Sequence, residues 1–130
     1  MKFLLMYCTD EMAMAERPTS EVDQIVADKT RVGQDLFAQG KHVLGSRLWP
    51  SATATRLSRR GGQLLAVDGP FTETKEVLGG FDLIQCASRP EAVEWATKYL
   101  GARDTLGYVE IRPVWERCVC HGSYSCSSQL

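Results

Sequence analysis

Asp68, Glu73 and Glu76 place three carboxylates, and Lys75 one ammonium, within nine residues: Asp68-Gly69-Pro70-Phe71-Thr72-Glu73-Thr74-Lys75-Glu76. Crowded carboxylates raise one another's pKa, while a neighbouring ammonium lowers it. Such a set can therefore supply a general acid and a general base near neutral pH. Its oxygens are also of the type that binds a divalent cation. The plain alternative is a capped turn whose charges form ion pairs across a dimer. Asp-Gly-Pro is strong turn chemistry: Asp caps its own turn, Gly accepts positive φ, and Pro fixes φ while pushing Gly69 out of the helical region. The stretch lies between an apolar run ending at Val67 and another beginning at Phe81. It reads as a rigid charged loop between two strands, a favourable place for binding or catalysis.

Two other groups can form walls for such a loop. Tyr7, Asp10 and Glu11 end the first apolar run. Glu110 and Arg112 alternate onto one face of the last strand, where Arg112 could hold a carboxylate bidentately, with a structural salt bridge as its plainer role. The candidate catalytic residues are therefore Asp68, Glu73 and Tyr7. The candidate substrate-binding residues are Lys75, Glu76, Arg112 and Asp10. No metal site is assigned. Cys118, Cys120, His121 and Cys126 are soft ligands, but their spacing lacks the paired knuckles of structural zinc, so the tail reads as an oxidisable, Ser-rich extension. Arg56, Arg59 and Arg60 form a basic hairpin tip without interleaved aromatics, and read as solvated.

The elements that must position these groups follow from periodicity. Lys2–Cys8 is a short apolar strand, and residues 9–19 read as a loop. Val22, Ile25, Val26, Val32, Leu36 and Phe37 recur at helical spacing behind a Ser20 cap, and Gly40 ends that helix. Lys29, Arg31 and Asp35 fall on its solvated side. A strand over His42–Leu48 precedes a hairpin over Thr53–Ser58 and Gln63–Val67, turning through Arg59-Arg60-Gly61-Gly62. After the charged loop come a strand over Phe81–Ala87 and a helix opened by the Ser88–Glu91 capping box, with Pro90 in its first turn. Ala92, Trp95, Ala96, Tyr99 and Leu100 make its apolar stripe, and Tyr108–Trp115 alternates as the final strand. This order, β-α-β, hairpin, β-α-β, predicts an antiparallel sheet with both helices on one face. The other face then needs covering, most economically by a second copy.

The 130 residues suit one domain able to bury its own core. With 15 basic against 16 acidic residues, nothing favours nucleic acid or an anionic membrane. Met1–Cys8 is too short for a signal peptide and no stretch has transmembrane length, which points to a cytoplasmic protein. Five cysteines cannot all pair internally. Cys8 and Cys86, in apolar runs, read as small buried thiols.

DGPFTETKE followed by GGFDLI resembles the signature of the DGPF branch of the YCII-related family. KFLLMYC, the Gly45–Leu48–Pro50 segment with Ala52-Thr53-Ala54-Thr55, Glu91-Ala92 with Trp95-Ala96, and Val109-Glu110-Ile111-Arg112-Pro113 match in order. The resemblance covers residues 1–116, leaving 117–130 as a Cys/Ser-rich tail. It implies an α+β, ferredoxin-like βαββαβ domain with an inserted hairpin, pairing as a dimeric α/β-barrel. By analogy with muconolactone-type isomerases and a dehalogenating relative, it implies proton transfer, isomerisation or elimination on a small cyclic or aromatic acid, with no organic cofactor. In that scheme Asp68 is the base, Glu73 or Tyr7 its proton partner and Arg112 the anion clamp. The alternative implied is a non-catalytic ligand-sensing module whose partner is a transcription regulator such as an extracytoplasmic-function sigma factor. The histidine and aspartate associated with the family's other branch are absent: Lys29 falls near the one and Tyr99-Leu100-Gly101 near the other. The remaining histidines, His42 at a strand start and His121 in the tail, do not replace them in this reading.

Overall fold

The first apolar run extends further than its hydrophobicity, because Thr9 and Asp10 continue the pairing. The computed structural model describes residues 1–71, 75–101 and 103–115. Strand β1 is Lys2–Asp10. Along it Phe3 and Leu5 are fully buried, while Lys2, Leu4 and Met6 face the other side and are half-buried. Asp10 ends the strand by capping a helix the sequence does not announce, α1 (Glu11–Ala15), its carboxylate accepting from the Ala13 N–H at 3.0 Å. Helix α2 (Thr19–Ala38) starts behind Pro18, so the expected Ser20 cap is not used. It ends at Gly40, whose φ of 67° is the left-handed conformation that glycine adopts freely.

Strands β2 (His42–Arg47) and β5 (Glu76–Gln85) pair with β1 and β6 (Gly107–Val114). Among the described residues they form one antiparallel sheet in the order β2-β5-β1-β6. Strand β5 begins at Glu76, five residues before the expected start at Phe81, so the end of the charged stretch is strand and not loop. Strands β3 (Thr55–Arg60) and β4 (Gln63–Asp68) form a separate hairpin across Gly61-Gly62, both at positive φ. All residues of β3 and β4 are exposed, including Leu57, Leu64, Leu65 and Val67.

Two irregularities set which side chains share a face. Tyr7 pairs with Gly80 but Cys8 with Leu78, so Gly79 is an extra residue in β5. His42 pairs with Ile84 but Leu44 with Leu83, which leaves Val43 extra in β2. A bulge of this kind shifts the alternation of every residue beyond it.

Helix α3 (Arg89–Leu100) opens as expected: Ser88 Oγ accepts from the Glu91 N–H, and Glu91 Oε2 accepts from the Ala87 N–H at 2.8 Å. Glu91 also pairs with Lys41, and this contact, followed by the Ala87 N–H, holds its carboxyl below the usual range. The core lies between the sheet and the two long helices: Phe3, Leu5, Ile84 and Cys86 meet Leu36 of α2 and Ala92, Trp95, Ala96 and Tyr99 of α3. Phe37, expected on the apolar face of α2, is 75% exposed. Lys29, expected in solvent, donates to the Tyr99 carbonyl at 3.0 Å and pairs with Asp104 at 2.9 Å. Among the described residues no helix is long and apolar enough to cross a membrane.

Candidate functional site

Asp10 and Glu76 are cross-strand partners at the end of β1 and β5, and Lys75 precedes Glu76 directly. The Lys75 ammonium lies 3.9 Å from the Asp10 carboxylate. With Thr105, Leu106, Gly107 and Tyr108 these three residues line a cavity of about 180 Å³. Three of the expected site residues thus come together, and Tyr108 joins them unannounced. Its phenol is pushed above its ordinary value, first by a hydrogen bond to the Cys8 thiol and then by the charges around it. Asp10 is held on one side by the α1 amide at 3.0 Å and on the other by Lys75. Among the described residues the Glu76 carboxylate has no hydrogen-bond or ion-pair partner, which leaves it available to a ligand.

The other expected residues lie elsewhere. Asp68 closes the base of the hairpin, accepting from Thr55 Oγ1 at 2.9 Å. The adjoining Gly69 N–H donates to the Ala54 carbonyl at 2.7 Å, with the Ser51 carbonyl so close that a Cβ would overlap it. Glu11 braces the same corner by accepting from the Ser51 N–H at 2.9 Å. Arg112 sits 3.6 Å from Glu110 in the exposed ion pair expected as its plainer role. It is four residues from Tyr108, about 13 Å along a strand. Glu73 and the Cys118–Cys126 cluster lie outside the described residues.

Tyr7 points to the helix side of the sheet and joins a polar cluster that periodicity does not reveal. Its hydroxyl donates to Asp82 Oδ2 at 2.7 Å, and His42 Nε2 lies 2.7 Å from Asp82 Oδ1. The Tyr99 ring packs 4.9 Å from that of Tyr7, and its phenol lies within the field of the Asp82 charge. Burial, and then the Asp82 charge, pushes both phenols well above their ordinary values, so both stay protonated. Gly45 makes room for the carboxylate: a Cβ there would overlap Asp82 Oδ1. The Val43 bulge explains why strict alternation misses this cluster. It turns His42 onto the face of Asp82, its partner 40 positions along the chain.

The model of the YCII-related domain matches residues 1–117. The uncharacterized protein R00369 of Rhizobium meliloti (strain 1021) is 33% identical over 114 residues, covering 88% of this chain and 92% of that protein. The family match takes in the whole of the sheet and its two long helices, and on the evidence of both matches the chain belongs to the YCII-related family.

Proposed function

We propose that this YCII-related protein binds a small cyclic or aromatic acid in the cavity at the end of the sheet. It then performs cofactor-independent acid/base chemistry, isomerisation or elimination, on that ligand. The observation that carries the reading is the Lys75 ammonium opening onto the same cavity as the unpaired Glu76 carboxylate. A cation beside a free carboxylate can anchor an anionic ligand and accept its proton, with the Tyr108 phenol as a third polar contact. Roughly 300–1,000 Å³ is usual for drug-sized ligands. A cavity of about 180 Å³ therefore suits a compact ligand, or one whose site a second subunit completes.

The strand order β2-β5-β1-β6, with α2 and α3 over one face, supports reading the domain as ferredoxin-like with an inserted hairpin. Leu4, Met6, Phe81 and Leu83 on the opposite face, and the exposed leucines of the hairpin, support a homodimeric α/β-barrel. Those same hairpin residues favour the second reading, a non-catalytic module that docks on a transcription regulator.

The test is thermal unfolding with small aromatic acids and lactones. A ligand at ~100 times its Kd should add about 2.7 kcal/mol, a rise of several degrees for a domain of this size. The rise should vanish in Lys75→Ala at unchanged ligand-free Tm. Failure of every acid to shift the wild type removes the enzyme reading and leaves the docking module. Sedimentation at micromolar concentration should give a dimer mass. A monomer there would argue against the barrel.

A further inference from the structure

Tyr7, His42, Asp82 and Tyr99 contribute nothing to the cavity wall, and what they can do is independent of the ligand proposed there. Asp82 is fixed by the Tyr7 phenol and by the absence of a side chain at Gly45. An ionised carboxylate only accepts hydrogen bonds. The short contact to His42 therefore assigns the hydrogen to Nε2 and, in the neutral ring, the lone pair to Nδ1. Among the described residues Nδ1 has no hydrogen-bond partner. The imidazole side chain keeps 24% of its exposure and the Asp82 side chain 13%, so both remain in contact with solvent. A carboxylate that orients an imidazole and stabilises its protonated form is the arrangement that makes histidine an effective base in hydrolase triads.

We infer that His42 is the general base of a second, helix-side proton-transfer site that acts on small uncharged carbonyl compounds bearing a C–H next to the carbonyl. Asp82 is its positioning residue, and Tyr7 positions Asp82. The neutrality of the substrate follows from the surrounding charges. Lys29 is committed to Asp104 and Lys41 to Glu91, while Asp82 itself is negative, so among the described residues an anion finds no free counter-charge here. In the reaction the Nδ1 lone pair takes the α-proton. The C–H electron pair becomes the C=C bond of an enolate, and the carbonyl π pair moves onto oxygen. The imidazolium then returns a proton to carbon. Nothing is oxidised or reduced, and no co-reactant is needed.

The test follows deuterium uptake at the α-positions of acetone, cyclopentanone and acetylacetone in D₂O by proton NMR, with the full-length protein. For at least one ketone, wild type should exceed buffer at least tenfold, and His42→Gln should return the rate to that of buffer. Asp82→Asn should lose at least tenfold while its circular dichroism remains native. Two-bond ¹⁵N–¹H NMR of the wild type should show the Nε2–H tautomer, and Asp82→Asn should disturb it, which loss of packing alone would not do. A rate equal to buffer for every ketone, an undiminished rate in His42→Gln, or an Nδ1–H tautomer would each overturn the proposal. Those results would reduce the pair to a structural ion pair. The acid-binding cavity is judged separately, by the thermal shifts above.

Discussion

Replacing Phe3 with alanine should destabilise the fold by about 3–5 kcal/mol, the usual cost of emptying a fully buried aromatic site. Phe3 has no exposure and sits beside Leu5, Ile84, Leu36 and Trp95, with side chains from the sheet and both long helices around it. Rigid strands on one side limit how far the neighbours can collapse into the vacancy, which favours the upper part of that range. A domain of this size is stable by only about 5–15 kcal/mol, so the variant should lie close to the unfolding threshold. Urea denaturation measures the effect: with a slope of about 1–3 kcal/mol/M, the midpoint should fall by at least about 1 M. Phe37→Ala is the control. The same deletion on a largely exposed ring should change stability by no more than about 0.5 kcal/mol. Equal losses at the two positions would mean that the core is not where the burial pattern puts it.

Asp82→Ala should cost at least about 2 kcal/mol, because one truncation strips the acceptor from a phenol and an imidazole. Hydrogen bonds to a charged group contribute about 1.5–3 kcal/mol each, and unpaired buried donors add their own desolvation penalty. Residual exposure of the carboxylate and the ring tempers the total. The informative measurement is a double-mutant cycle with Tyr7→Phe. Once Asp82 is gone, removing the Tyr7 hydroxyl should cost much less than in wild type, giving a coupling of about 0.5–3 kcal/mol. Strict additivity would show that the 2.7 Å contact contributes nothing to stability.

Much of the scaffold is legible in the residues. The Ser88–Glu91 box opens α3, Gly61-Gly62 turns the hairpin, and Ile25 and Leu36 face the core at helical spacing. These are local signals, each carried by a few neighbouring residues. What escapes the sequence is either non-local or contrary to local preference. Glu76, a poor strand former, is drawn into β5 by pairing with Asp10, so the charged loop is shorter than expected. Lys29 has the composition of a solvated helix face, yet Asp104 and the end of α3 capture it from far along the chain. Of the candidate site, Asp10, Lys75 and Glu76 gather as the charged motif suggests. Asp68 is used by the hairpin, and His42 cannot be matched to Asp82 without knowing where the alternation breaks.

The extra glycine in β5 has a further consequence. In an unbroken strand, Glu76, Leu78, Gly80, Asp82 and Ile84 would all point the same way. With Gly79 inserted, Leu78 follows Cys8 and Glu76 follows Asp10, while Asp82 and Ile84 follow Leu5 and Phe3 toward the helices. The strand behaves as two antennas joined half a wavelength out of step, one carboxylate transmitting to each side of a single layer. Straightening the bulge, so that Gly79 took a place of its own in the pleat, would bring both carboxylates into phase and leave one side of the layer without its acid. The bulged backbone at this position, more than side-chain identity, keeps the two chemistries apart.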